Sequence, residues 1–459
     1  MLLVVWVAAC ILASAVFRRY PVELILASLA VWTLVPGVAG SVLVGHPNSS
    51  LAFHPATWLI LTTLVTQLAT DPRAIAGAIV RRFIFVVSSL LVIAAAVLET
   101  KAGQSQHGLV LAIDQMAASF FAFLVVMAGL YRDPSRGRIL RNGVITLAAV
   151  EAGWAIVQYA AHSPILYKHD YEQRYWYTAG FKRWMGTTDH PLVLALLLCA
   201  AIPLLTGLHK AWVQQVLLIL MLAGIVITES RAGVVAGGVG AVYVVLASRA
   251  SMSRKVMGIV VLAGAALTIA LSSLSNGVSD RIANDTGSAV ARGTALDYFL
   301  QNWRHYFLSG GGVNSSYTVA TNAGLKSSFE SAFLIYSIDI GIVFAVLYFG
   351  GLLVVALRNT GRSYRGAWLS AVVVLVLCQT FSSLGVDTLV GPLLWLLVAL
   401  AATTAPRDPP PEESGSAGDP VVDRLELGGP RPNVELVGHP AGPRRAEPLR
   451  QRRVGQQPG

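Results

Sequence analysis

Apolar runs of membrane-crossing length follow one another along this chain and leave no room for a soluble domain. A bilayer is crossed by about 17 to 25 apolar residues. Runs of that kind lie near 1–17, 21–44, 51–70, 83–98, 108–130, 142–161, 191–208, 211–228, 232–248, 256–275, 331–357, 367–383 and 386–404. They predict an all-α, polytopic transmembrane helix bundle of about 12–13 spans. Only 13% of residues are charged, against roughly 25% in a soluble domain. The run Met1 to Phe17 has no basic residue ahead of it and is followed by Arg18 and Arg19. That is the reverse of a secretory signal, so a retained span with an outside N-terminus is expected.

The loops carry an orientation signal. Arg18/Arg19, Arg73/Arg81/Arg82, Arg132/Arg136/Arg138/Arg141, Lys210, Arg249/Arg254/Lys255 and Arg358/Arg362/Arg365 fall in alternate loops. The positive-inside rule makes all of them cytoplasmic. The tail after Ala405 holds eight Arg and eight acidic residues, so the net charge of +10 resides in the short loops. That distribution argues for membrane orientation and against nucleic acid. The chain therefore divides into a transmembrane region, 1–405, and a cytoplasmic tail, 406–459, whose Pro-rich, aperiodic sequence predicts disorder. Cys10, Cys199 and Cys378 all lie in apolar runs, which leaves neither a disulfide framework nor a Cys-based zinc site.

Two long outer segments work against this signal. His162–His190 contains Lys168, Arg174, Lys182 and Arg183 among Tyr167, Tyr171, Tyr175, Trp176, Tyr177, Phe181 and Trp184. Asn276–Glu330 is the one large outer loop, and it contains Arg281, Arg292, Arg304 and Lys326. Basic residues outside require another reason, and an anionic ligand is one. The aromatic residues suit stacking on sugar rings and suit an interface belt equally. A third basic site is tighter still. Between the runs Ala211–Thr228 and Ala232–Ser248 stand only Glu229, Ser230 and Arg231. Charges at that depth mark functional sites, although an Arg at a hairpin tip also snorkels to lipid phosphates.

Arg231, Arg281 and Arg292 together suit a diphosphate, because guanidinium forks match phosphate oxygens bidentately. Glu330, the last charged residue before the run 331–357, is a candidate general base; as a helix-entry acid it would also be favoured by the helix dipole. Asp339 is nine residues further on, half a turn round a helix, and offers no second carboxylate on that face. Gly310-Gly311-Gly312 lacks the strand–helix context and the Lys of a nucleotide-binding loop. Asp189, His190 and Arg183 lie where the chain leads into the run 191–208 and are candidates for the same outer mouth. Asp114 and Glu151 lie inside apolar runs, and their partners are not readable from sequence.

Taken in order, these positions resemble the O-antigen ligase and polymerase family of envelope glycosyltransferases. Gly186-Thr187-Thr188-Asp189-His190-Pro191 is similar to that family's Gly-Thr-x-x-x-Pro lead-in to a span. Thr228-Glu229-Ser230-Arg231-Ala232-Gly233 resembles its Ser-Arg-Ala/Gly turn, and Ser309-Gly310-Gly311-Gly312 its glycine-rich stretch. Arg281 and Arg292 stand where it places arginines in the outer loop. Glu330-Ser331-Ala332-Phe333 through Asp339-Ile340-Gly341 is similar to its His-Asn-x-x-Leu through Glu-x-Gly segment. The specific likeness covers 186–341, and Glu330 replaces the ligases' histidine, which leaves polymerisation or another acceptor more open.

The resemblance implies a metal-independent, cofactor-free glycosyltransferase in the cytoplasmic (inner) membrane with its active face outside. Its partners would be a polyprenyl-diphosphate-linked glycan donor, a glycan or glycolipid acceptor and membrane lipid. Glu330, Arg231 and Arg292 would be catalytic; Arg281, Asp189, His190 and Arg183 would bind substrate. A transporter or flippase for a lipid-linked or anionic solute is the alternative, and a structural membrane scaffold the third.

Overall fold

The computed structural model describes residues 2–37, 39, 52–172, 183–247, 286–325 and 329–406, with a few positions between 255 and 264. Arg281, Arg174, Lys182 and Lys326, the aromatics Tyr175, Trp176, Tyr177 and Phe181, most of the run 256–275 and the tail from 407 lie outside the described residues. Among the described residues the structure is helical, without strands.

The helices are α1 (Leu2–Val16), α2 (Pro21–Leu34), α3 (Pro55–Thr70), α4 (Pro72–Arg81) and α5 (Phe83–Ala102). Helix α6 joins Gln106–Leu111, a π-helical stretch Ala112–Ala118 and Ser119–Arg132. There follow α7 (Arg136–Ala161), the short α8 (Lys168–Glu172), α9 (Pro191–Ala201), α10 (Ala211–Ile227) and α11 (Arg231–Ala247). The rest are α12 (Thr286–Asn302), α13 (Ser315–Asn322), α14 (Ala332–Ile340), α15 (Ile342–Leu357), α16 (Ala367–Leu377) and α17 (Val390–Ala402). Proline opens α2, α3, α4 and α9 at the position where its missing N–H costs nothing. Asp71 and Ser105 accept from first-turn N–H groups of α4 and α6, at 3.2 and 3.0 Å.

Phe83–Ala102, His107–Arg132 and Arg136–Ala161 are long and apolar enough to cross a membrane, and shorter apolar helices of 10–17 residues accompany them. Val4, Ile84, Leu98, Val235 and Val354 are exposed. Exposed apolar side chains on these helices are compatible with a lipid-facing surface. Inside the bundle, every residue of α17 is buried. Its Trp395 meets the rings of Phe85, Phe120, Phe123 and Tyr348 at 5.5 to 5.9 Å and donates its indole N–H to the Tyr348 hydroxyl at 3.0 Å.

The basic loops around Arg18, Arg73–Arg82, Arg132–Arg141 and Arg358–Arg365 gather at one end. Arg132 pairs with Asp71, and Arg136 with Glu23 at 2.8 Å. Gln67 donates to the Arg18 carbonyl at 2.8 Å, and Arg82 to the Ala402 carbonyl at 2.6 Å. The Tyr364 hydroxyl donates to the Pro134 carbonyl. Away from that end, Glu99 lies in the last turn of α5, Thr228 follows α10, Arg231 opens α11 and Gln379 follows α16. These contacts bring the described basic loops together at one end of the bundle.

Some expected spans are shorter than their apolar runs, with 191–208 giving α9 (Pro191–Ala201) and 367–383 giving α16 (Ala367–Leu377), and one is broken. The run 331–357 is not one helix but two, α14 and α15, broken at Gly341. Gly341 has φ +96°, a region closed to side-chain-bearing residues, and an added Cβ would lie 2.9 Å from the Leu308 backbone. Ile342 and Val343 then donate to the carbonyls of Tyr306 and Phe307, at 2.8 and 3.2 Å. Both ends of α14 thus contact residues at the end opposite the basic loops, and only α15 returns toward the basic end.

Candidate functional site

The turn between α10 and α11 is as short as its sequence requires. Glu229 adopts φ +52°, and the Ser230 hydroxyl caps α11 by accepting from Gly233 N at 3.1 Å. Arg231 is the first residue of α11 and half-buried. A cation at a helix N-terminus opposes the dipole, and the N–H groups there favour an anion. Arg183 bonds to the other half of this turn, donating Nε to the Thr228 carbonyl at 2.9 Å.

The segment 186–190 is clamped from α7. The Glu151 carboxylate accepts from Thr187 N at 2.7 Å and from the Thr187 hydroxyl at 2.6 Å. Gln158 exchanges two bonds with the Gly186 backbone, at 2.6 and 3.0 Å. Gly186 sits at φ +66°, where a Cβ would meet the Glu151 carboxylate. Glu151 thus has the partner that its sequence context did not reveal. His190 caps α9, its Nδ1 accepting from Leu192 N at 3.1 Å. Burial, and then the charge of Arg183, push its imidazole down to about 3, so it is neutral there. Asp189 is half-buried beside it.

Arg292 and Glu330 meet. On α12, Arg292, Ala295 and Phe299 share a face at helical spacing, and the latter two are buried. Phe329, fully buried, packs its ring 6.1 Å from that of Tyr298. This seats Glu330 against α12, where Arg292 Nε donates to its Oε2 at 2.6 Å. Glu330 is 26% exposed and Arg292 53%. The bond uses Nε rather than the terminal fork of the guanidinium.

The glycine-rich stretch is an internal joint. Gly310 N donates to Glu99 Oε2 at 3.0 Å and Val313 N to the Thr100 hydroxyl at 2.9 Å. Gly311 and Gly312 donate to the carbonyls of Ile338 and Asp339, at 3.1 and 2.8 Å. Asp339 accepts from Asn314 N, Ser316 N and the Ser315 hydroxyl, at 3.0, 2.7 and 3.1 Å, and so caps α13. Its carboxylate organises the loop and stands apart from Glu330.

Two further residues escaped the sequence reading. Gln379, the amide at the end of an apolar run, bonds to the start of α14. Asp387 lies close to Asp189: a Cβ on Gly37 would be 3.3 Å from Asp189 Oδ1 and 3.6 Å from Asp387 Oδ2. Near them Asp114 accepts from His54 N at 2.9 Å, and Gln115 donates to the Thr388 carbonyl at 2.7 Å. Both aspartates are polar interruptions of apolar runs, which is a signal of burial but names no partner. A small cleft lined by Leu192, Leu196, Ser230, Gly233, Thr380 and Phe381 joins the Arg231 turn to the loop after α16.

The structure therefore brings Arg183 to the Arg231 turn and to His190, and joins Arg292 to Glu330, all at one end of the bundle. No curated protein matches the chain. Residues 216–349, which contain the Arg231 turn, the glycine joint and the Arg292–Glu330 pair, match the family model described as O-antigen ligase. Over that segment the chain is similar to the O-antigen ligase family.

Proposed function

We propose that this protein transfers or polymerises glycan from a polyprenyl-diphosphate-linked donor at the outer face of the cytoplasmic membrane. The family match supports the coarser part, a membrane glycan-processing role in O-antigen biosynthesis. The observation that carries the finer part is the Arg292–Glu330 pair, at 2.6 Å, on the same bundle end as Arg231. In this reading the arginines, with Arg281 among them, hold the diphosphate and stabilise the charge that develops on it as the anomeric C–O bond breaks. The acceptor hydroxyl attacks the anomeric carbon and Glu330 takes its proton. A diphosphate, with more negative charge than a carboxylate, draws Arg292 toward itself and releases Glu330 for that step. Arginines supply the positive charge that a metal provides elsewhere, so the reaction is metal-independent. Asp189, His190 and Arg183 complete the mouth through which substrate is bound.

The break at Gly341 is the feature a transporter reading would claim, since transporters bind substrate at interrupted helices. Such interruptions lie near the bilayer midplane, whereas both ends of α14 contact the bundle end, which favours the enzyme. The lipid-linked sugar that accumulates when the gene is removed tests the proposal. Single repeat units indicate a polymerase, complete chains left on the lipid a ligase, and an unchanged pool of lipid-linked sugar defeats both.

A further inference from the structure

Helix α14 begins without a cap from its own sequence. Ser331 occupies the N-cap position, yet its hydroxyl donates outward, to Gln379 Oε1 at 3.0 Å. The same oxygen accepts from Phe333 N at 2.8 Å, and Ala332 N donates to the Cys378 carbonyl at 3.1 Å. Two of the four N–H groups that a helix start leaves unpaired are therefore satisfied by residues following α16. Gln379 is itself held, since its Nε2 donates to the Leu375 carbonyl at 3.2 Å. Glu330 directly precedes this cap, so the backbone that carries its carboxylate is set by an amide 49 positions away in sequence.

The same loop reaches the other half of the site. Thr380 and Phe381, the next two residues after Gln379, line the cleft whose opposite wall is Ser230 and Gly233. Ser230 is the cap of α11 and the neighbour of Arg231. One short loop thus touches the start of α14, which follows Glu330, and the start of α11, which carries Arg231.

We propose that Gln379 is a positioning residue that holds Glu330 in register with the Arg231 turn. This rests on the reading of Glu330 as the base. Reacting groups misplaced by about 1 Å lose on the order of a hundredfold in rate, so a side chain that sets register acts on turnover and not on donor binding.

The test uses the full-length protein in lipid nanodiscs, with the lipid-diphosphate glycan that accumulates in cells lacking the gene as substrate. Gln379→Leu keeps volume and removes the acceptor; kcat is expected to fall about tenfold to a hundredfold, with KM for the lipid donor unchanged. Gln379→Glu keeps an acceptor oxygen at the same length, and kcat is expected within about threefold of the parent. Ser331→Ala removes one of the two bonds to Oε1 and should fall between them. Should Gln379→Leu fail to fold, the Ser331→Ala and Gln379→Glu results decide by the same criterion. In the Glu330→Gln background, Gln379→Leu should lower the residual rate no further, because both act through one carboxylate. Full kcat in Gln379→Leu with an inactive Glu330→Gln overturns the positioning role alone. Full activity in Glu330→Gln overturns the base and this role with it. A loss in Gln379→Leu that appears only as lower thermal stability, with kcat per folded molecule unchanged, also overturns it.

Discussion

Arg292 Nε and Glu330 Oε2 lie 2.6 Å apart, which ties α12 to the start of α14. A general base contributes roughly 10²–10⁴-fold in rate, so Glu330→Gln should remove most transfer while leaving the fold intact. Glu330→His should keep partial activity, because imidazole accepts the same proton. Arg292→Lys keeps a charge but loses the guanidinium fork, and should weaken turnover more than Arg292→Ala weakens folding. The measurement is donor turnover by purified protein with binding followed separately; full activity in Glu330→Gln would return this residue to a plain ion-pair partner.

Topology follows from the two ends of the bundle. Reporter fusions should place Arg231 and Arg292 on the side opposite Arg136 and Arg362. An outside position is expected for the first two, because the basic loops mark the cytoplasm. A cytoplasmic reporter signal at Arg292 would remove the enzyme reading, since lipid-linked glycans are joined outside.

His190 offers a pH test with a defined sign. Its imidazole is pushed down to about 3 by burial and by Arg183, while an unfolded histidine titrates near 6.5. Between those values the unfolded chain holds a proton that the folded one does not, so stability falls as pH drops below about 6.5. His190→Asn retains a side-chain acceptor for Leu192 N and removes the titration. Thermal melts of this variant should lose less stability between pH 6.5 and 4 than the parent, and equal losses would show that His190 does not govern the acid limb.

The apolar helices were legible in the sequence as runs bounded by charge, and Glu229, Ser230 and Arg231 alone between two runs left no alternative to a tight reversal. Helices α4, α8, α12 and α13, which lie between those runs, were not legible. The break at Gly341 was not, since a glycine inside an apolar run reads as continuous helix. Only the Leu308–Ser309 chain crossing against it shows why no side chain fits. The Arg292–Glu330 contact joins residues that sequence could nominate but not bring together. Gln379 carried no signal at all: an amide at the end of an apolar run is ordinary, and its role depends on which helix start lies opposite.

Gly186 tests whether the segment before α9 is a rigid clamp. At φ +66° a side chain is strained, and the added Cβ would displace the Glu151 carboxylate from Thr187. Gly186→Ala should lower stability by about 2 kcal/mol or more. Gly153→Ala on the same α7 meets nothing within 4 Å and serves as the neutral control. Equal melting temperatures for the two variants would show that the clamp contributes little.

Arg231 decides between two readings of the α10–α11 turn. As a diphosphate ligand it must present its planar fork at the N-terminus of α11, beside Ser230 and the cleft that Thr380 and Phe381 line. As a lipid anchor it needs only a positive charge. Arg231→Lys preserves charge and length and removes bidentate geometry, so the ligand reading expects strong loss of turnover with normal membrane insertion. The anchor reading expects full turnover in Arg231→Lys and altered insertion in Arg231→Ala. Measuring glycan output and insertion on the same preparations separates them: unchanged glycan output in Arg231→Ala would assign the guanidinium to lipid phosphates and leave donor binding to Arg292 and the outer loop.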